Sequence, residues 1–488
     1  MKVLFDLKAA LDGYAGIPQE TRLVFAGLRG LGSDVTVDGL LQDGHEGLPA
    51  ATSEELAALT PDQRIDHASR TVVSFYTDLP KERLRLYLLR LRRYRAFLRL
   101  QRQALAGRPV RLGDFDGELF QDFLWTRLFD KTLDVREKAL ATGGAYRVAA
   151  PPRGLMQYAG MRSVIPFAKP RFLKLDTAGY DFLIAQTPFP AHVAARTKLV
   201  IRYHDAVPML MPHTIGGKDL HQAAHYRSLK ANVEDGAIFV CNSQATRSDL
   251  LRIFPDLEDR AEVIHNMFSE QFQTDDLPLE AALSVIAMRS VSKGTAQYRQ
   301  GHEIPRNYLL MVSTLEPRKN HALLISAWER LKQAAMPDLA LVLVGSKGWD
   351  FEPIESLMRP WVERGQLFHL SNVPAAELRT LYRHARATVC PSRGEGFDYS
   401  GVEAMACGGL VVSSDIAVHR EVYSEASAYF DPYSASDAAS VIARVLGPEG
   451  QAERDALRRA SPLVVDRYRP GAILPKWQAL LERHARTG

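Results

Sequence analysis

Short apolar runs alternate along this chain with longer stretches in which apolar residues recur every three or four positions. The first run, Val3-Leu4-Phe5, leads into a glycine-bounded loop from Gly13 to Gly16 and then an amphipathic stretch over 21–31. That order predicts strand, glycine loop and helix. Further runs at 181–185, 198–203 and 237–240 predict strands. A second series begins at 308–312 and continues at 339–344, 387–390 and 410–412. Between its first two members, Leu324, Ala327, Trp328 and Leu331 share one helical face. Short strands alternating with amphipathic helices are the pattern of parallel, doubly wound sheets. Two such series predict an α/β protein of two Rossmann-like domains.

The expected boundaries are 1–272 for the first domain and 307–467 for the second, with a linker over 273–306. The linker carries Asp275 and Asp276, a polar run over 292–300, and Pro305, with an inserted helix expected at 279–289. A last helix over about 468–486 presents Ile473, Leu474, Trp477, Leu480 and Leu481. Periodicity leaves open whether it packs on its own domain or back on the first.

Composition narrows the function classes. Of 488 residues, 46% are hydrophobic and 24% charged, with a net charge of +4, ordinary for a globular protein and too small for a dedicated nucleic-acid binder. The longest apolar runs fall far short of a membrane span. Asp6 and Lys8 interrupt the first apolar stretch, unlike a signal peptide, so a cytoplasmic location is expected. Cys241, Cys390 and Cys407 have neither disulfide-framework nor zinc spacing, and buried, reduced thiols are expected.

Charge is unevenly placed. Residues 81–111 hold eleven Lys or Arg against one acid, Glu82, a net charge of +10 that leaves −6 on the rest. Leu84, Tyr87, Leu88, Leu91, Tyr94 and Leu98 recur there at helical spacing. One reading is an interfacial helix drawn to anionic lipid, peripheral on the inner face of the cytoplasmic membrane. The other is a core-packed helix with a solvated basic face. Nucleic acid is disfavoured, because no stacking platform accompanies the charge.

The most informative segment runs from Pro391 to Gly409, reading P-S-R-G-E-G-F-D-Y-S-G-V-E-A-M-A-C-G-G. Seven residues separate Glu395 from Glu403. The first acid is expected on a loop at a strand's carboxyl end and the second in the first turn of the next helix. Backbone N–H groups of that helix start can meet a diphosphate, and a carboxylate beside them suits sugar hydroxyls. The plainer reading of Glu403 is a capping box with Ser400.

This block resembles the E-x7-E signature of the retaining nucleotide-sugar glycosyltransferases of family 4. Those enzymes have the GT-B fold, two facing Rossmann-like domains with the donor between them. The family usually reads close to E-G-F-G-L-P-x-x-E-A-M-A-C-G; here Asp398-Tyr399-Ser400 replaces the middle. The resemblance implies donor contacts from Glu395, Gly396, Phe397, Asp398 and Glu403. Val312 to Asn320, reading V-S-T-L-E-P-R-K-N, is similar to the family's donor loop, and implies that Arg318 and Lys319 hold the diphosphate. Two cations beside a helix start also make physical sense against a departing diphosphate, and without an anion the helix dipole disfavours them. His204, in R-Y-H-D-A-V-P, matches the histidine that faces the donor sugar, and Asp205 reads as an orienting or capping group. Gly16 matches the glycine loop that approaches the donor. Asn242, Ser243, Arg247 and His419 read as architectural. The resemblance covers 1–40 and 180–270 and is strongest over 305–435, while 41–175 match nothing nameable.

The loops look most like mannosyl- and rhamnosyltransferases of polysaccharide or O-antigen assembly. The expected activity is therefore retaining transfer of a hexose from a GDP-sugar to a saccharide or lipid-linked saccharide acceptor, with a UDP-sugar as the alternative donor. No cofactor and no catalytic metal are expected. A sugar-nucleotide epimerase and a non-catalytic donor-binding subunit are the competing classes.

Overall fold

The structure is a computed structural model that describes residues 1–14, 16–32, 34–42, 47–77, 79–162, 169–290 and 304–486. Its first part contributes strands β1 (Lys2–Asp6), β2 (Thr36–Leu41), β3 (Leu112–Phe115), β4 (Tyr146–Ala149), β5 (Leu173–Lys174), β6 (Phe182–Ala185), β7 (Ala191–His192), β8 (Lys198–Tyr203), β9 (Ile238–Cys241) and β10 (Ala261–Val263). Eight form one sheet in the order β10-β9-β8-β6-β1-β2-β4-β3, parallel except for β3 against β4, while β5 and β7 pair separately. The second part contributes β11 (Tyr308–Val312), β12 (Ala340–Val344), β13 (Leu367–Leu370), β14 (Ala387–Cys390), β15 (Val411–Ser414) and β16 (Ser427–Phe430). They form a parallel sheet in the order β13-β12-β11-β14-β15-β16.

Helices cover both faces of each sheet, so central strands read as unbroken apolar runs rather than alternating ones. The run A-L-V-L-V of β12 is buried at every position. Each sheet also has one place where the chain reverses its direction of winding: between β1 and β6 in the first, and between β11 and β14 in the second. At such a switch point the loops leaving two neighbouring strands diverge and open a crevice at their carboxyl ends.

The chain passes between the domains twice. Met267 packs in the first core, whereas Phe268, Phe272 and then Ala282 and Ile286 of the helix Leu279–Ser290 pack in the second. The expected polar run at 292–300 lies outside the described residues. Tyr468 still belongs to the second core, but the helix Pro470–Arg486 returns to the first, burying Ile473, Trp477, Leu480 and Leu481 among Val3, Phe5 and Val24. The question left open by periodicity is thereby answered. The helix Ile17–Arg29 lies so close to it that a Cβ on Gly27 would meet Leu474 Cδ2 at 2.5 Å. The two passages touch, with the Phe268 N–H donating to the Tyr468 carbonyl at 3.2 Å.

The basic segment forms the helix Arg83–Leu105. It packs through Leu89, Phe97 and Leu100, joined from the expected stripe by the partly buried Leu98. Leu84, Tyr87, Leu88 and Tyr94 of that stripe are 71%, 58%, 46% and 59% exposed, an apolar face set among arginines. All three cysteines are buried and outside any disulfide.

Because Trp477 is fully enclosed by first-domain side chains, Trp477→Ala is expected to cost about 3–5 kcal/mol. A lower urea midpoint by near-ultraviolet dichroism would show it, and an unchanged midpoint would mean the helix is not part of that core.

Candidate active site

The carboxyl ends of the two sheets face each other across a cleft of about 390 Å³. Gly16, His204, Arg318, Lys319, Glu395, Gly396, Phe397, Asp398 and Glu403 all line it. The loops after β11 and β14, on either side of the second sheet's switch point, bring the cations and acids together.

After β11 the chain makes a tight turn over Pro317–Lys319 and continues through Asn320 in the left-handed conformation, φ 64°. Asn320 Nδ2 donates to the carbonyls of Pro391 and Pro432 at 3.0 and 2.9 Å, fixing this turn against the loops after β14 and β16. Arg318 donates to the Gly394 carbonyl and to Glu395 Oε2, each at 2.6 Å, while Lys319 donates to Glu395 Oε1 at 2.6 Å. Burial disfavours the Glu395 carboxylate, but these two cations outweigh it and hold its pKa below the ordinary value. Burial likewise opposes charge on Arg318, and Glu395, Asp205 and Glu316 overcome it. The anion that the helix dipole argument requires is thus supplied by the protein itself. Glu395 holds both cations at the cleft, and Glu316 lies 3.8 Å from Arg318 beside them.

The helix Tyr399–Ala406 starts differently from the capping-box expectation. Its N-cap is Asp398, whose Oδ1 accepts from the Ser400 N–H at 3.1 Å and the Ser400 hydroxyl at 2.6 Å. His419 Nε2 lies 3.3 Å from the other oxygen. Glu403 therefore falls in the second turn, not the first, and caps nothing. It accepts from Gln19 Nε2 at 2.9 Å and from the Tyr382 hydroxyl at 3.0 Å. Burial pushes its pKa up to about 7, against the pull of those two hydrogen bonds. Phe397 packs edge-on against Tyr399 and Tyr468, so much of its surface serves the core.

Tyr399, which departs from the family's usual residue, reaches across the cleft. Its hydroxyl donates to Glu20 Oε2 at 2.7 Å, and Glu20 Oε1 accepts from Arg202 Nη2 at 2.7 Å. Gln19, Glu20, Arg202 and Tyr382 were not among the expected site residues. A signal existed for one of them: Arg202 is a charge inside a strand whose neighbours are all buried. No pattern marks Gln19 or Tyr382, whose partners lie 384 and 21 residues away.

On the first-domain side, Gly16 has φ 72° and caps the helix Ile17–Arg29, so the glycine serves backbone geometry; a Cβ there would meet open space. Gly396 serves contact instead. A Cβ on it would lie 1.6 Å from the His204 carbonyl oxygen, which makes this the closest approach that the two loops could make. His204 is buried, with Nε2 lacking a hydrogen-bond partner among the described residues. Burial and Arg202 hold its pKa well below the ordinary range, against a hydrogen bond to the Gln186 backbone, so the ring is neutral. Asp205 Oδ1 accepts from the Val207 N–H at 3.0 Å and caps the turn as expected.

Residues 295–462 match the family described as Glycosyl transferases group 1. The second domain thus carries the similarity to the group 1 glycosyl transferases. Across the whole chain, the fold is similar to that of sucrose-phosphate synthase from Thermosynechococcus elongatus, with a TM-score of 0.60 at 14% identity and 100% of both chains covered. Anabaena HepE in complex with UDP-glucose gives a TM-score of 0.55 at 15% identity, covering 99% and 100% of the two chains. The architecture is GT-B, as the sequence resemblance implied. The O-antigen chain mannosyltransferase B of Escherichia coli is 28% identical over 220 residues, 45% of this chain and 53% of that protein. The match thus spans about half the length of that relative.

The pKa of Glu403 generates a test. With a folded value near 7 against an ordinary 4.5, the folded chain keeps a proton that the unfolded chain releases between those values. This contribution is full below pH 4.5 and is lost as pH rises through 7, about 3 kcal/mol in all. Glu403→Gln is therefore expected to gain stability relative to wild type on going from pH 5 to pH 8 in urea titrations. A difference that stays flat with pH would place the carboxyl in water.

Proposed function

We propose that this chain transfers a hexose, with retention of anomeric configuration, from a GDP-sugar to a saccharide or lipid-linked saccharide acceptor, in polysaccharide or lipopolysaccharide assembly. The observation that carries the reading is the meeting of Arg318, Lys319 and Glu395 with His204 in one cleft between two Rossmann-like domains. The similarity to an O-antigen mannosyltransferase supports mannose or a related sugar. HepE, whose structure holds UDP-glucose, supports a UDP-hexose as the second reading.

In this mechanism the donor diphosphate lies against Arg318, Lys319 and the backbone N–H groups of the nearby helix start. Their charge grows more favourable as the leaving group departs, and needs no metal ion or cofactor. The neutral His204 ring uses one nitrogen on the Gln186 carbonyl, so Nε2 is an acceptor for a donor-sugar hydroxyl. Glu395, with Gly396, Phe397 and Asp398 around it, positions the sugar, and Glu403 exchanges its bond with Gln19 for the nucleotide ribose. The acceptor hydroxyl attacks from the face the diphosphate leaves, and the departing phosphate takes its proton. Closure of the two domains excludes water.

Incubation with GDP-mannose and UDP-glucose, each with and without saccharide acceptors and with chelator, tests the reading. Acceptor-dependent transfer is expected, unaffected by chelator; conversion of the donor without acceptor would favour an epimerase. Lys319→Ala is expected to lower kcat about 100- to 1000-fold, because the charge it meets is greatest in the transition state. Wild-type turnover in that variant would remove the loop from the mechanism.

Peripheral attachment to an anionic membrane is also proposed, through the exposed face of the helix Arg83–Leu105. Among the described residues no helix is long and apolar enough to cross a membrane. Tyr and Leu side chains flanked by arginine suit insertion at the headgroup boundary, where each basic residue contributes about 1 kcal/mol. Replacing Arg90, Arg92, Arg93 and Arg95 by Gln should abolish sedimentation with phosphatidylglycerol vesicles and leave transfer to a short soluble acceptor intact. Salt should weaken the wild-type interaction steeply, with a Debye length of about 8 Å at physiological strength. Undiminished binding by the fourfold variant would overturn the assignment.

A further inference from the structure

At and behind the first-domain wall of the cleft, buried polar atoms without a hydrogen-bond partner among the described residues gather at the carboxyl ends of three neighbouring strands. They are Gln186 after β6, the Tyr203 hydroxyl at the end of β8, His204 Nε2 beside it, and Asn242 Oδ1 after β9. His225 Nε2, on the helix Lys218–Glu234, is in the same condition. Leaving such groups dry and unpaired is costly, so native interiors almost always pair them. Tyr203 is only 1% exposed, yet it lines the cleft together with Asp205, His221 and His225.

Strand geometry separates Tyr203 from the expected donor contacts, His204 among them. Successive side chains of β8 point to opposite faces. Arg202 joins Glu20 and the glycine-loop helix on one face, whereas Tyr203 packs with Leu229 in the core on the other. The Tyr203 ring lies 5.9 Å from that of His225. Asp205 bears electrostatically on both, and on Arg318 across the cleft. From the second domain, Trp349 closes this end, its Nε1 donating to the Thr214 carbonyl at 2.6 Å. A hydroxyl, an imidazole and a carboxylate beside an indole match a sugar, whose hydroxyls both donate and accept and whose C–H face is apolar.

We propose that Tyr203, His225 and Asp205, closed over by Trp349, form the subsite that holds the acceptor saccharide. The proposal rests on the glycosyltransferase reading and assigns the second substrate to a place within it. Donor-sugar hydroxyls offer the same chemistry, so the experiment has to separate the two sources.

Tyr203→Phe removes a hydroxyl that has no hydrogen-bond partner among the described residues, and His225→Gln is a second, independent variant. Steady-state transfer is measured with GDP-mannose and UDP-glucose as donors and the methyl glycosides of mannose, rhamnose, glucose and galactose as acceptors. Each variant is expected to raise the acceptor KM about tenfold, the equivalent of one hydrogen bond. Calorimetric affinity for GDP or UDP and the donor KM should stay within twofold. A raised donor KM with an unchanged acceptor KM would assign these groups to the donor sugar and overturn the proposal, as would no change in either. A wild type that binds nucleotide but transfers to none of the four glycosides would overturn the saccharide class. Failure of the wild type to bind either nucleotide would instead remove the donor reading, and the subsite with it.

Discussion

Arg202 and Glu20 form an ion pair with no access to solvent, and the arrangement of the cleft depends on it. A buried charge is tolerable only when it is paired with an opposite charge and further hydrogen bonds support the pair. Arg202 spends its donors on Glu20, on Asn266 and on the Ile264 carbonyl, and its guanidinium lies 5.5 Å from the Trp477 ring. One side chain thereby gathers β8, the glycine-loop helix, the segment leading out of the first domain and the last helix. Burial raises the pKa of Glu20, and Arg202 and Tyr399 act against that rise. The hydroxyl of Tyr399 comes from the other domain, so the closed cleft is part of what makes the buried acid acceptable.

The same arrangement explains how far the sequence could be read. Strands whose two faces are both buried, such as β11 and β12, are plain as apolar runs. β2 is not, because Asp38 and Gly39 interrupt it: Asp38 accepts from the Tyr180 hydroxyl at 2.6 Å, and Gly39 makes room for the Tyr146 ring. β13 and β16 are hidden for the same reason, with His369 and Ser427 inside four-residue strands. In the basic segment the period of the helix was legible and its packing face was not, since two apolar stripes share one helix and only the neighbours decide which is covered.

For the site, loop motifs located all nine expected positions in one cleft, because the chemistry sits beside the switch points that the strand order creates. The partners of those residues were a different matter. Ser400 and Glu403 have capping-box spacing, yet Asp398, two residues earlier than Ser400, takes the cap and frees Glu403 to meet Gln19. Local sequence cannot weigh a contact between residues hundreds of positions apart. Of the three residues at 398–400 that differ from the family's usual pattern, Tyr399 reaches the first domain, while Asp398 and Ser400 build the helix start.

The pairing of the two interdomain passages has a mechanical consequence. Phe268 and Tyr468 are hydrogen-bonded neighbours, and Tyr468 also anchors through its hydroxyl to the Val422 carbonyl at 3.1 Å. Two adjacent chain segments act as a leaf spring: rotation about the line through them is soft, while twist and sliding strain both segments at once. Opening along that soft direction would part Tyr399 from Glu20, Gln19 from Glu403 and Trp349 from Thr214, and would also work against the bonds of Glu421 to Gln244, Ala245 and His265. Admitting a ligand along that direction would thus trade polar contacts between the domains, while the two paired passages keep the domains in line.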